Sequence, residues 1–94
     1  MSDEVVVKIA KSLDADTAEK MLTELTRVVS AGPSRLICDL SETDYISSIG
    51  VGVLMSIYKR LKNLGGVVVL ASMKPRVKAV FETAGLLAIF SVKE

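Results

Sequence analysis

Residues 36–54, which read LICDLSETDYISSIGVGVL, decide both the fold and the candidate function of this chain. They begin as an apolar strand and continue through an acidic turn, the adjacent Ser47 and Ser48, and a helix with Gly50 and Gly52 in its first turns. This order brings hydroxyls and unpaired backbone N–H groups to the positive end of a helix, where a phosphoryl group or a close-fitting protein is stabilised. The segment therefore indicates a switch and not a catalytic centre.

Strand patterns alternate with helix patterns on both sides of this segment. Short runs that are β-branched or continuously apolar predict strands, and apolar residues spaced by three and four predict helices. Residues 41–45 are predicted to form a turn. The predicted strands are residues 4–10, 35–40 and 67–71, and the predicted helices are residues 16–31, residues 49–64 and a third that begins near Pro75 and ends at Gly85.

The alternation predicts the architecture of the whole chain. It is typical of right-handed crossovers, so we expect an α/β fold with a mainly parallel or mixed four-stranded sheet and three to four helices. The length of 94 residues allows one core only, so residues 1–94 are predicted to form a single domain. Residues 86–92 fit either a short strand or a packed turn of helix. The inner faces are predicted to include Leu64 in the second helix and Val77, Val80, Phe81 and Ala84 in the third.

The composition argues against several classes of function. Twelve basic and eleven acidic residues leave a net charge of +1, which is too small for a general nucleic-acid binder. Histidine is absent and Cys38 is the single cysteine, so we expect neither a zinc site nor an intrachain disulfide. We expect a reduced cytoplasmic protein. No apolar run approaches the roughly 20 residues of a membrane span, so we expect no membrane insertion.

The individual motifs also have structural interpretations. Serines before a helix are most often N-caps, and glycines in a helix indicate close approach, either to a neighbouring element of the fold or to a partner. SSIGVG lacks the lysine of a nucleotide-binding loop, and no histidine is present for a hydrolase triad, so an enzyme is not predicted and no cofactor is expected. The acidic residues Asp14, Asp16, Glu42 and Asp44 lack the spacing of a metal site, and Asp14 or Asp16 is predicted to cap the first helix. Lys74, Arg76 and Lys78 are interpreted as a solvated outer face of the third helix.

Three segments in sequence resemble the STAS domain of bacterial anti-sigma factor antagonists. SLDADTAEKM is similar to that family's GELDxxTAxxL segment, and residues 36–71 are similar to its DLSxVxxxDSSGLGVLL block with the glycine-preceded strand that follows. VKAVFETAGLLAIFSV is similar to its last helix and GLxxxF ending. The resemblance covers nearly all of the chain after residue 10.

The resemblance implies a protein switched by phosphorylation. In that family an ATP-dependent anti-sigma factor kinase phosphorylates a serine of the DSSG motif, a phosphatase removes the group, and only the unmodified antagonist binds the kinase and frees the sigma factor. Alignment on Gly50 places the acceptor at Ser48. The partner-binding surface implied by the resemblance comprises Asp14, Ser47, Ser48, Ile49, Gly50 and Val51.

Two departures from the family pattern keep an alternative open. Ser47 stands in place of the usual aspartate and Ile49 in place of the second serine, so the chain resembles SSAG-type variants, and Ser47 is a second candidate acceptor. The family also has an N-terminal hairpin of two strands, and the residues before Ser12 are too few for both, so we expect one edge strand to be missing. The alternative is a STAS subunit that is not phosphorylated and serves a larger complex, such as a lipid-transport ATPase or a stress-signalling assembly. The oligomeric state is left open, with a weak homodimer as one candidate.

Overall fold

The computed structural model describes residues 3–94, which fold into one α/β domain of three helices and two sheets. The prediction of the fold class is confirmed. The strands are β1 (Glu4–Lys8), β2 (Ser12–Leu13), β3 (Arg35–Asp39), β4 (Tyr45–Ile46), β5 (Val67–Ala71) and β6 (Ser91–Lys93), and the helices are α1 (Ala18–Ser30), α2 (Ser48–Asn63) and α3 (Pro75–Thr83).

The main sheet is wholly parallel. Its strand order is β1-β3-β5-β6, and each helix connects one strand to the next in that order. Three right-handed crossovers in the same direction place all three helices on one face of the sheet. The core follows this arrangement, because Leu36, Cys38 and Leu70 of the sheet share one buried cluster with the inner residues of every helix. On the opposite face Ile37 and Val69 belong to a separate small cluster with Ala71.

The end of the chain resolves the alternatives left open by the sequence. Residues 87–89 form a turn, and β6 begins two residues later, at Ser91, and pairs with β5 in parallel register. Phe90 lies between these two pieces and packs edge-on against Phe81 and Tyr58, with ring centroids 5.8 and 5.3 Å apart. The strand alternative is therefore the one that forms, after a turn that is not helical, and the aromatic contacts of Phe90 hold this end of the chain against the helical layer.

Two predicted core positions are wrong. Leu64 is 61% exposed because it is the C-cap of α2, one residue past the last helical residue, Asn63. Ala84 is exposed because α3 ends one residue earlier, at Thr83. In both cases the helical spacing was extended past the last helical residue. The rest of the predicted inner face of α3 is correct, since Val77 and Phe81 are fully buried and Val80 packs against the core.

A second, two-stranded sheet is the main feature that the sequence did not predict. It consists of β2 and β4, which pair in parallel outside the main sheet. The sequence placed only a turn at residues 41–45, whereas that turn ends in β4. Thr43 connects the turn to the segment before β2, because its buried hydroxyl donates a hydrogen bond to the carbonyl oxygen of Ala10 at 2.9 Å. This small sheet positions the candidate functional site. No helix in residues 3–94 has the length and apolarity to cross a membrane.

Candidate functional site

The small sheet brings the turn after β2 beside the start of α2. Ser12 pairs with Tyr45 and Leu13 with Ile46. The backbone N–H of Ser47 then donates to the carbonyl oxygen of Leu13 at 2.9 Å. The next pair in this parallel register is Asp14 and Ser47. The turn after β2 and the start of α2, which the family resemblance assigned to one partner-binding surface, are therefore neighbours in space.

Ser47 is the N-cap of α2. Its backbone is extended, with φ −95° and ψ 174°, and its hydroxyl oxygen accepts a hydrogen bond from the N–H of Gly50 at 3.3 Å. The carbonyl oxygen of Ser47 accepts the first bond of the helix, from Val51, at 2.9 Å. The half-buried side chain thus has a structural task, since it satisfies a backbone donor that the helix itself leaves unpaired.

Ser48 differs from its neighbour in both exposure and bonding. It is the first residue of α2 and is exposed. Its hydroxyl makes no hydrogen bond with any residue in 3–94. No acidic residue lies in the first turn of α2, so the positive end of that helix has no negative charge of its own. A free hydroxyl and a positive helix end therefore coincide at residue 48.

The two glycines of α2 have different surroundings. A Cβ at Gly50 would lie 2.4 Å from the backbone oxygen of Leu13 and 2.9 Å from the Cγ1 of Ile46, so only glycine allows the helix to meet the small sheet. A Cβ at Gly52 would meet nothing within 4 Å, and Gly52 is exposed. The sequence left two explanations open for both glycines. The structure assigns the close approach within the fold to Gly50 and leaves Gly52 without an internal reason.

An apolar surface lies around Ser48. Ile49 is 53% exposed on the outer face of α2, and Tyr45 is 53% exposed on β4 just before the N-cap. Val51, in contrast, is half-buried and packs against the core. Exposed apolar area that is contiguous is a feature of surfaces that meet other proteins.

Asp14 organises the turn between β2 and α1. Its carboxylate accepts bonds from the Ser12 hydroxyl at 2.7 Å and from the N–H of Asp16 at 3.0 Å, and the hydroxyl of Thr17 accepts from the N–H of Asp14 at 3.0 Å. The hydrogen bond from Ser12 is the main cause that lowers the pKa of Asp14. Neither predicted cap is the N-cap of α1. That position is Thr17, three residues after Asp14 and one after Asp16. The Thr17 hydroxyl makes no cap bond, because it donates to the carbonyl oxygen of Ser12 at 2.8 Å and accepts from the Asp14 N–H.

Comparison with known proteins identifies the family. The family model described as the STAS domain matches residues 2–94. The chain belongs to the STAS domain family.

Relatives of this STAS domain are named anti-sigma factor antagonists. One relative is BtrV of Bordetella bronchiseptica, whose name places it provisionally among these antagonists. It is 40% identical over 80 residues, which are 85% of this chain and 69% of BtrV. The anti-sigma-B factor antagonist of Bacillus subtilis is 28% identical over 90 residues, which are 96% of this chain and 82% of that protein.

A solved structure shares the fold at lower identity. The unphosphorylated form of the anti-sigma factor antagonist SpoIIAA superposes with a TM-score of 0.81 at 22% identity, over 97% of this chain and 81% of SpoIIAA. The phosphorylated form of the Bacillus protein gives 0.75 at 20% identity, over 100% of this chain and 85% of that structure. At these identities the likeness establishes the fold alone.

A set of ion pairs braces the turn ahead of the serines in this STAS domain. The Asp44 carboxylate accepts a hydrogen bond from the Lys74 ammonium group just before α3, and the Lys11 Nζ lies 3.8 Å from its other oxygen. The bond from Lys74 is the main cause that lowers the pKa of Asp44, and the positive charge of Arg76 contributes. The prediction of a merely solvated face is wrong for Lys74, which links α3 to the turn that leads into β4. It is correct for Arg76, which is exposed, whereas Lys78 forms an ion pair with Glu94 at 3.2 Å.

The predicted site residues of the STAS domain fall into two groups. Asp14, Ser47 and Ser48 are brought together by the small sheet, and Ile49 extends their surface. Gly50 and Val51 lie beneath that surface and shape it from within. The sequence did not single out Tyr45, although an aromatic residue two positions before a serine cap was the available signal. Cys38 lies in the core, where burial raises the pKa of its thiol to about 12, and takes no part in the site.

Proposed function

We propose that this STAS domain is an anti-sigma factor antagonist that binds a kinase-type anti-sigma factor and is switched off by phosphorylation of Ser48. The observation that carries the proposal is the exposed, unbonded hydroxyl of Ser48 at the first residue of α2. A kinase can reach this oxygen without unfolding anything. The names of the relatives support the partner class, since both belong to proteins called anti-sigma factor antagonists.

The geometry favours Ser48 over Ser47 as the acceptor. The Ser47 oxygen is already the acceptor for the Gly50 N–H, so a phosphoryl group there would have to replace the helix cap. At Ser48 the new group would add a charge of roughly −1.5 to −2 at the positive end of α2 and leave the cap in place. Modification at Ser48 therefore changes the surface of the domain and preserves its fold.

The partner surface consists of Tyr45, Ser48, Ile49 and Gly52 on the outer side of the small sheet and α2, with Asp14 at its margin. Tyr45 and Ile49 supply exposed apolar area around the hydroxyl. Gly52 supplies bare helix backbone, which a partner can approach closely because no Cβ stands in the way. Glycine is a poor helix former, by up to about 1 kcal/mol relative to alanine, and nothing inside the fold requires it here. A partner that contacts this backbone accounts for it.

The switch operates through charge. A phosphoryl group at Ser48 would lie within this contact surface. Its double negative charge would either face a like charge on the partner or be buried without a counter-charge, and either costs several kcal/mol. A penalty of about 3 kcal/mol corresponds to a loss of affinity of more than about a hundredfold. The domain contributes no catalytic group, so it acts only as the substrate of a kinase and of a serine phosphatase. In this role we expect a cytoplasmic protein whose direct partners include neither nucleic acid nor a membrane.

The test is a phosphorylation assay with the cognate kinase and ATP. Intact-protein mass spectrometry should show the addition of one phosphoryl group, and peptide mapping should place it on Ser48. Ser48→Ala should abolish the addition, whereas Ser47→Ala, the matched control one residue away, should retain it. Labelling that persists in Ser48→Ala would refute the assignment of the acceptor.

The alternative function is a subunit of a larger assembly that is never phosphorylated. The serine in place of the usual aspartate at residue 47 favours it, because the acceptor motif then departs from the family pattern. Affinity purification of the unmodified chain separates the two functions. Recovery of a kinase supports the antagonist, and recovery of transporter subunits without a kinase supports the alternative.

A further inference from the structure

The outer edge of β1 carries hydrogen-bonding groups that have no partner within residues 3–94. β1 pairs with β3 on one side, and no segment of residues 3–94 pairs with its other side. The N–H of Ile9 and the carbonyl oxygen of Asp3 both bond to β3. Because the groups of alternate residues point to opposite sides of a strand, those of Glu4, Val6 and Lys8 point outward. Val6 is 59% exposed, so this edge is both unpaired and apolar at its centre.

The sequence of β1, EVVVK, has opposite charges placed symmetrically about Val6. If a second copy of the strand pairs with it in antiparallel fashion about Val6, Glu4 lies opposite Lys8 of that copy, and Lys8 lies opposite its Glu4. Val6 then faces Val6. Every outward N–H and C=O of these three residues finds a partner in this register, since all three pairs are of the hydrogen-bonded type.

Charges on an exposed edge normally prevent such pairing. They do so when like charges fall opposite each other, or when a charge is forced against an apolar surface. Here the symmetric register places only opposite charges together. The present partners of these side chains do not prevent it, because Glu4, 3.5 Å from Arg35, is 45% exposed and Lys8, 3.1 Å from Glu42, is 60% exposed. Both groups can reach a second partner.

We propose that two copies of this chain associate through antiparallel pairing of their β1 strands, which joins the two main sheets into one continuous sheet. The contact uses backbone hydrogen bonds, two symmetric Glu4–Lys8 pairs and the Val6 side chains. It is small, so the association is weak and reversible. The inference does not depend on the proposed function, since it involves neither Ser48 nor α2.

Charge-swap variants test this pairing. Sedimentation equilibrium up to about 1 mM protein should show reversible dimers of the unaltered chain. Glu4→Lys and Lys8→Glu should each weaken self-association by about tenfold or more, because each creates two like-charge pairs in the symmetric dimer. An equimolar mixture of the two variants should form the mixed dimer, since every charge pair is then complementary again. The double variant Glu4→Lys/Lys8→Glu should recover self-association.

A second measurement locates the contact. When the Glu4→Lys chain is labelled with ¹⁵N and titrated with unlabelled Lys8→Glu chain, the amide shifts should be largest in residues 4–8. A chain that stays monomeric at about 1 mM would overturn the proposal. Dimers that the single charge reversals leave unchanged would overturn it as well, because the contact would then lie elsewhere.

Discussion

Gly50 lies against the backbone of Leu13 so closely that a Cβ at residue 50 would be 2.4 Å from the Leu13 carbonyl oxygen. That oxygen also accepts the N–H of Ser47 at 2.9 Å. One backbone group of β2 therefore fixes both the N-cap and the first turn of α2. The position of Ser48 follows from this contact, because Ser48 lies between the two residues that it holds.

We expect Gly50→Ala to destabilise the domain and Gly52→Ala to stabilise it. The added methyl group at residue 50 displaces backbone, which costs about 1–3 kcal/mol, whereas at residue 52 it enters open space and improves helix propensity by up to about 1 kcal/mol. Urea unfolding monitored by circular dichroism measures both changes. Equal stabilities of the two variants would contradict the assigned contact with Leu13.

The two serines should differ in their effect on stability. Ser47→Ala removes the side-chain cap of α2 and should lower the free energy of unfolding by about 1 kcal/mol. Ser48→Ala removes an exposed hydroxyl without a hydrogen bond, and its effect should stay within about 0.5 kcal/mol. Thermal unfolding of the two variants side by side measures the difference. The reverse order would show that the cap is assigned to the wrong serine.

Gly52→Ala should separate partner binding from stability. If a partner approaches the bare backbone of α2, the added methyl group weakens binding to the kinase by about tenfold or more while the free domain becomes more stable. Isothermal titration calorimetry with the kinase measures the affinity. Thr23→Ala is the matched control, because it improves helix propensity at an exposed position of α1 and should leave the affinity unchanged. An unchanged affinity of Gly52→Ala would remove Gly52 from the proposed surface.

Below about pH 8, stability should depend on pH only under acid conditions. Hydrogen bonds from Ser12, Ser41 and Lys74 lower the pKa of Asp14, Asp39 and Asp44, respectively. A carboxyl whose pKa is lower in the folded state stabilises the fold above its ordinary value of about 3.9, and this contribution is lost as the pH falls through the lowered value. With no histidine present, the urea midpoint should be nearly constant between about pH 5 and 8 and should fall below about pH 4.

A pair of variants assigns this acid dependence. Asp44→Asn should reduce the fall of the midpoint below about pH 4, because it removes the carboxylate that Lys74 and Lys11 hold ionised. Asp16→Asn serves as the control, since the Asp16 carboxylate has no ion pair within residues 3–94. A fall of equal size in Asp44→Asn and the unaltered chain would show that the ion pair does not contribute.

The local patterns of the sequence were sufficient for three strands of the main sheet and for the helices. β3 is apolar at its three central residues and β5 throughout, and the spacing in α1 and α2 repeats over several turns, so each of these elements can be recognised by itself. The ends of helices were less predictable. Leu64 and Ala84 fit the helical spacing, but they lie at C-caps, where the chain has already turned away from the core.

The site depended on contacts between distant segments, and these were not visible in the sequence. β2 and β4 are two residues each, too short for any period to be recognised. The different roles of Gly50 and Gly52 arise from the position of Leu13, which no spacing within residues 36–54 reveals. The family resemblance grouped Asp14 with the serines, and β2 and β4 pair beside them, whereas Tyr45 emerged only from its exposure on β4.

The central claim is that a phosphoryl group on Ser48 blocks partner binding and leaves the domain folded. The most direct measurement is calorimetric titration of the partner kinase with two forms of this chain, one unmodified and one with phosphoserine incorporated at residue 48, with circular dichroism to compare their folds. We predict identical spectra and an affinity that is lower by more than about a hundredfold for the modified form. Equal affinities of the two folded forms would contradict the account.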